Sequence, residues 1–351
     1  MADAARHYFL TVPTGFEFIA RQELSEAIAF GAGADRRGKL EIKTAAPVER
    51  LLSLRSCFHV FAHLTTQDEV PSDETGLESL KALPGQIDWR EAMETWAGCF
   101  NRSDEPRSFR ITAQRSGTHA FGSPDVAAAL GAGVQHHFGW PVDLKSPDIE
   151  IYAHLREHEL LLGITLTSQS LHLAEGLERG RTGLKQPIAH GLARLINSQP
   201  GEVTLDPMCG VGTLPLEAAV LQSRALHLGG DKDWPELERA ARNRTRTNTQ
   251  FDLAQWDARR LPLADETIDA LVCDLPFGVR VGSHRRNVHL YPPVFAEMAR
   301  VLKPGGRAVL LSLERRLVER RVDKDLRWRI QQRFPIHFGG LDPTVFQLTR
   351  V

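Results

Sequence analysis

The stretch Val203–Glu217, VTLDPMCGVGTLPLE, decides how the rest of this 351-residue chain is read. Val203, Thr204 and Leu205 form the short, apolar end of a buried strand. Asp206-Pro207 closes it, because a proline cannot continue a central strand. Gly210 and Gly212 follow, and Leu214 to Ala219 opens a helical pattern. A strand, a glycine turn and a helix start let backbone come close to a ligand. Glycine has no Cβ and tolerates positive φ, and the first N–H groups of the helix face whatever sits in the turn.

Downstream, strands at 225–231, 251–256, 268–273, 307–313, 327–337 and 345–351 alternate with helices at 235–245 and 291–302, after a leading helix at 187–196. That order predicts a mostly parallel sheet with an antiparallel strand at its end. Upstream, residues 7–65 read as a β-α-β-α-β run, the pattern of a small ferredoxin-like unit. Residues 76–170 form a second α/β unit: helices at 87–100 and 123–138, a strand at 109–113, and a hairpin of two strands around the polar turn REHE. Trp89, Met93, Trp96 and Phe100 share a helix face and read as core. The expected division is residues 1–70, 76–170, a glycine-bearing linker at 171–186, and 187–351.

Composition excludes several classes. An apolar fraction of 42% supplies sizeable cores. No run of 18 apolar residues occurs, so no membrane span is expected, and MADAARHYFL lacks the apolar segment of a signal peptide; a cytoplasmic protein is expected. Cys57, Cys99, Cys209 and Cys273 are scattered without a CxxC, which argues against a disulfide framework, a zinc ribbon or any metal site. The net charge of −1 argues against a nucleic-acid binder, but the halves differ. Residues 1–175 carry 16 Lys+Arg against 24 Asp+Glu, and the remainder carries 27 against 20, densest at 315–333.

In an open parallel sheet, ligands lie at the carboxyl ends of the strands. Four such ends carry acids: Asp206 beside the glycine turn, Asp231 about 20 residues past the glycines as a ribose-binding acid would be, Asp257 placed to accept from an adenine amino group, and Asp274. GxGxxG and GK[ST] are both missing, so NAD and ATP fit poorly, whereas a nucleoside without phosphates, S-adenosylmethionine, fits well. Asp274-Leu275-Pro276-Phe277-Gly278 resembles the [DN]PP[YF] signature of methyltransferases acting on exocyclic amines. An aryl amine lone pair is delocalised and weakly nucleophilic. The Asp274 carboxylate and the Leu275 carbonyl would accept both amine hydrogens and aim the lone pair, Phe277 would stack on the base, and Pro276 would stiffen the loop. Cys209 and Cys273 sit in the turn and in a buried strand, poor places for a nucleophile.

Longer stretches carry a specific resemblance. DPMCGVGTLPLEAA, DLPFGVRVGSHRRNVHLYP and HFGGLDPTVFQLTR, with TVPTGFE, LRSCFHVFAHL, SFRITAQRSG, GITLTSQSLH and RTGLKQPIAHGL, are similar to the THUMP-domain-containing guanosine-N2 tRNA methyltransferases over essentially the whole chain. The resemblance implies a ferredoxin-like domain, a THUMP RNA-binding domain and a Rossmann-like methyltransferase domain. It implies N2-methylguanosine as product, with guanosine 6 of the tRNA acceptor stem the best-matched target. It also implies tRNA and a small zinc-containing activator subunit as partners. The implied S-adenosylmethionine set is Thr182, Leu184, Asp206, Met208, Cys209, Gly210, Gly212, Thr213, Asp231, Lys232, Asp257, Ala258 and Asp274. Asp274 to Phe277 would take the target base. Ribosomal or small nuclear RNA is an alternative substrate, and a non-catalytic THUMP scaffold an alternative of another class. Arg110 and Arg115 are the expected local basic patch in the acidic half, and the strand at Phe251–Trp256 the expected edge for the activator, covering Phe251 and Leu253.

Overall fold

A computed structural model describes residues 4–167, 169–171, 176–178, 180, 183–278 and 283–351. The chain forms two compact units. The first comprises the chain up to Thr11, Leu24–Leu54 and Phe58–Leu171; the second comprises Val12–Glu23, Arg55–Cys57 and the chain beyond Leu171.

In the first unit, β1 (Arg6–Thr11), β2 (Gly31–Arg36), β3 (Lys39–Thr44), β4 (His59–Gln67), β5 (Phe109–Ser116), β6 (Ile149–Arg156) and β7 (Glu159–Thr165) make one sheet in the order β2-β3-β1-β4-β7-β6-β5. The segments read as separate α/β units therefore share a single continuous sheet, joined by the antiparallel β4–β7 pairing. β2 was not expected: GAGADR is short of β-formers, and only its pairing with β3 makes it a strand. The helices are α1 (Glu17–Ala27, whose residues to Glu23 are counted with the second unit), α2 (Val48–Leu52), α3 (Thr75–Ala82), α4 (Arg90–Cys99) and α5 (Ser123–Phe138). The α4 core face differs from expectation. Of the expected face, Trp89, which caps the helix, and Trp96 are buried and Met93 is half-buried, with Ala92 and Thr95 buried beside them, while Phe100 lies past the helix end and is 37% exposed.

The second unit is built on β8 (Val203–Asp206), β9 (Leu226–Asp231), β10 (Asp252–Gln255), β11 (Ile268–Asp274), β12 (Leu302–Ser312), β13 (Trp328–Pro335) and β14 (Thr344–Arg350), in the order β10-β9-β8-β11-β12-β14-β13. The first five pair parallel; β14 runs antiparallel between β12 and β13. Strand order reverses between β8 and β11, the switch point where such sheets open a crevice. The helices are α6 (Gln186–Ile196), α7 (Thr213–Leu221), α8 (Trp234–Thr247), α9 (His284–Val301) and α10 (Arg315–Lys324). Leu205, Leu271, Cys273, Tyr291, Phe295, Met298, Leu310 and Phe346 make the core where α9 packs on the sheet. Each such large side chain contributes roughly 1.5–3 kcal/mol on burial. Beneath α7, the fully buried Glu217 takes a two-pronged bond from Arg55 at 2.9 and 2.7 Å and a third from His190 Nδ1 at 3.0 Å.

Candidate active site

β8, β9 and β11 place their last residues, Asp206, Asp231 and Asp274, at one edge of the sheet. Gly210 and Gly212 both take positive φ, +52° and +79°, as the turn from β8 into α7 requires. A side chain at Gly212 would also press on Ala240 and the Phe251 ring, at 3.0 and 3.3 Å. Asp231 stitches the turn to β9: Oδ2 accepts from Gly210 N at 3.0 Å and Oδ1 from Asp233 N at 2.9 Å. Asp206 Oδ1 accepts from Met208 N at 3.1 Å. Gly230 gives room for the Trp256 ring, which a Cβ there would meet at 1.9 Å, and Trp256 Nε1 donates to the Pro207 carbonyl at 3.1 Å.

Burial pushes Asp206 well above the usual carboxylate range, and the neighbouring charges of Asp231 and Asp274 push it further. Burial alone raises Asp274 to about 7. Its Oδ1 is buried with no hydrogen-bond partner among the described residues, although part of the residue remains accessible. Crowded acids of this kind suit a ligand that brings positive charge and N–H donors. Burial also drives the Cys209 and Cys273 thiols well above their ordinary value, with Asp206 adding to both, so neither is a ready nucleophile.

Asp257 does not join this acid cluster as a free acceptor. Arg259 holds both its oxygens, at 2.5–3.0 Å, and keeps its carboxyl below the usual range. Ala258 is buried beside it. Thr213 opens α7, Cys209 is buried in the turn and Met208 half-buried. Lys232 is exposed, and its carbonyl accepts from Gln255. Leu184 is half-buried just before α6, and Thr182 lies outside the described residues.

Leu275 is buried, while Pro276 and Phe277 are half-exposed. The Leu275 N–H donates to the Leu311 carbonyl of β12 at 3.0 Å, and among the described residues the Leu275 carbonyl accepts nothing. The Pro276 carbonyl is instead taken up by two buried side chains of α9: Asn287 Nδ2 at 2.7 Å and the Tyr291 hydroxyl at 3.0 Å. Tyr291 also bonds Ser312 Oγ at 2.9 Å, at the tip of β12. Gly278, at φ +72°, is needed because a Cβ would lie 2.9 Å from His284 N and 3.0 Å from Asn287 Nδ2. Asn287, Tyr291 and Ser312 escaped sequence reasoning, although Asn287 and Tyr291 stand one helical turn apart on one face.

Two expectations are corrected. Arg110 is no free cation: it donates to Glu150 at 2.8 Å, while Arg115 bonds the Gly117 carbonyl at 2.7 Å. Phe251 is only 3% exposed, packed inward against the turn, so a strand added to β10 would not cover it. In the first unit, His7, Glu41 and His63 bring potential ligand atoms together from three strands, a grouping that linear spacing hides. Arg36 already holds the Glu41 carboxylate there, standing where a metal's charge would be useful.

Comparison with known proteins places these features in context. A family model described as RMKL-like, methyltransferase domain matches residues 177–344, and one described as THUMP domain matches residues 76–165. A Thermus thermophilus protein named tRNA (guanine(6)-N2)-methyltransferase is 31% identical over 346 residues, 97% of this chain and 98% of that one. A bovine protein named tRNA (guanine(6)-N(2))-methyltransferase THUMP3 is 36% identical over 262 residues, 70% of this chain. The match spans about half, 52%, of that relative's length. The crystal structure of TrmN from Thermus thermophilus superposes with a TM-score of 0.79 at 29% identity, covering 98% of this chain and 99% of that one.

Proposed function

The chain belongs to the family of THUMP-domain tRNA guanine-N2 methyltransferases, and on that premise we propose that it transfers a methyl group from S-adenosylmethionine to N2 of guanosine 6 in tRNA. One observation carries the reading: Asp274 stands at the switch point beside Asp206 and Asp231, with an orphaned, buried Oδ1 and an open Leu275 carbonyl next to it.

The residues fit the cofactor's chemistry. Its sulfonium and amino group bring the positive charge that the three crowded acids lack, and the Gly210/Gly212 turn leaves room for close backbone approach. Asp206, Met208, Gly210, Gly212 and Asp231 would hold it, with Ala258 and Leu184 at the margins. Bound there, it supplies an electrophilic methyl carbon on a cationic sulfur that leaves as a neutral thioether. The chain's own part is orientation. Asp274 Oδ1 accepts one hydrogen of the guanine amine and takes its proton as the C–N bond forms. The Leu275 carbonyl accepts the other hydrogen, and Phe277 offers a face for the unstacked base. Such positioning is worth several orders of magnitude in rate.

The decisive test is to incubate the purified protein with unmodified tRNA transcripts and labelled S-adenosylmethionine, then map the product by mass spectrometry. N2-methylguanosine at position 6 is expected. Label on another atom or at another position would overturn the assignment.

For partners, β10 is the exposed end of the second sheet, and open edges invite strand addition. A small zinc-containing activator subunit would pair there over Asp252–Gln255. Full activity, solubility and tight cofactor binding by the chain alone would rule that out. No helix among the described residues is long and apolar enough to cross a membrane. A location in the cytoplasm, alongside tRNA, is part of the same proposal.

A further inference from the structure

Two helices begin directly after the strand tips that frame the Asp274 loop. α9 follows β11 and the loop, and α10 follows β12, whose Leu311 is in register with Asp274. A 2.8 Å bond from His284 Nδ1 to Glu314 Oε2 ties the two helix starts together. A helix N-terminus favours an acidic side chain, and the only one among the described residues at these two starts is Glu314, the cap of α10 already engaged by His284; the first turns themselves carry none. Arginines stand there instead: Arg285 and Arg286 in α9, and Arg316 with Arg320 one turn on in α10, all exposed. Among the described residues none of these four makes an ion pair. Elsewhere in the unit Arg242 is neutralised by Glu178, Arg259 by Asp257, Arg307 by Glu202 and Arg327 by Asp325. Arg285, Arg286 and Arg316 lie in first turns, where a cation opposes the helix dipole, and Arg320 adds to the local positive charge from mid-helix; a polyanion relieves both the opposition and the mutual repulsion. The same strand tip holds the unpartnered, buried Asp274 Oδ1, an acceptor waiting for a donor on an incoming ligand.

We propose that Arg285, Arg286, Arg316 and Arg320 grip the phosphates of an RNA strand on either side of the nucleotide whose base enters the Asp274 loop. The inference rests on the function proposed above and adds where the RNA backbone is held: at the rim of the second unit's own site. Guanidinium groups suit this task because they bind phosphate oxygens in a fixed fork. Such contacts hold the strand without reading sequence, leaving base choice to the loop.

The test compares wild type with Arg285→Gln/Arg316→Gln and, independently, Arg286→Gln/Arg320→Gln. Arg224→Gln serves as control: it removes an exposed charge just before β9, at the amino ends of the strands. Binding of an unmodified tRNA transcript is followed by fluorescence anisotropy from about 50 to 200 mM KCl, and S-adenosylmethionine binding by calorimetry. Each double variant should bind the RNA about ten-fold more weakly at low salt, and its plot of log K against log salt should be shallower by about 1.5–2, the slope of two lost phosphate contacts. KM for tRNA should rise with kcat retained at saturation, and cofactor affinity should not move. A wild-type slope in both double variants, or an equal loss in Arg224→Gln, overturns the grip. If wild type methylates tRNA while the variants match it, the grip alone fails; if wild type neither binds nor methylates tRNA, the functional reading fails and the grip with it.

Discussion

Asp274 Oδ1 is buried at the tip of β11 with no hydrogen-bond partner among the described residues, an arrangement that costs folding free energy and that a ligand can repair. Its carboxyl, raised by burial to about 7, must be ionised to take up the amine proton in the step proposed for it. The pH profile of kcat/KM should therefore rise through an apparent pKa near 7 and flatten above it. Asp274→Ala should abolish turnover while changing cofactor affinity less than about three-fold; equal loss of both would move Asp274 into the cofactor pocket. Stability should move the other way. Between about pH 4 and 7 the folded chain keeps this proton and the unfolded chain does not, so the contribution is full below the unfolded pKa and lost as pH rises through 7. Asp274→Asn should thus gain Tm relative to wild type more at pH 8 than at pH 5, read by calorimetry, and a pH-independent difference would contradict the buried-charge account. Asp231→Ala should instead weaken cofactor binding first, because both its oxygens organise the glycine turn.

The element that matters most is the start of the segment after β11, Leu275 to Gly278, where the Pro276 carbonyl is held from behind. Asn287 and Tyr291 pull the Pro276 carbonyl towards the helix, which leaves the Leu275 carbonyl open. Tyr291→Phe removes both the loop bond and the bond to Ser312, leaving the Pro276 carbonyl held by Asn287 alone and Ser312 Oγ by the Glu314 N–H. It should cost about 1–3 kcal/mol in urea unfolding and lower kcat roughly ten-fold without changing cofactor affinity. An unchanged kcat would make the tyrosine merely structural. On the other side of the crevice, Gly230→Ala would drive a methyl into the Trp256 ring. It should cost about 1–3 kcal/mol and weaken the cofactor site through the Pro207 contact.

Across the second unit, stability leans on a buried charge. Burial works to raise Glu217, but Arg55 and His190 more than offset it and leave its carboxyl below the usual range. A depressed folded pKa contributes stability that is present above the unfolded value and lost as pH falls through the folded one. Glu217→Gln removes the buried negative charge that Arg55 and His190 both hold; a loss of about 3–5 kcal/mol is expected in chemical denaturation, most of it at neutral pH. A variant as stable as wild type at pH 7 would show that the network is dispensable.

Local chemistry made much of this protein readable from its chain. The β8 turn declares itself through Asp206-Pro207, Gly210 and Gly212, because sterics allow those residues few alternatives, and the apolar run before DLPFG marks the end of β11 at Asp274. The alternation of apolar strands and helices fixed the parallel sheet by periodicity alone. Tertiary structure decided the rest. GAGADR becomes a strand only through its partner β3, and two segments that read as separate units share one sheet. Phe251 turned inward and Asp257 is already held by Arg259. The support of Asn287, Tyr291 and Ser312 for the loop, and the rise of Asp274 and Asp206, arise from groups distant in sequence meeting in a dry interior. Burial and long-range pairing are properties of the folded assembly, and no window of sequence contains them.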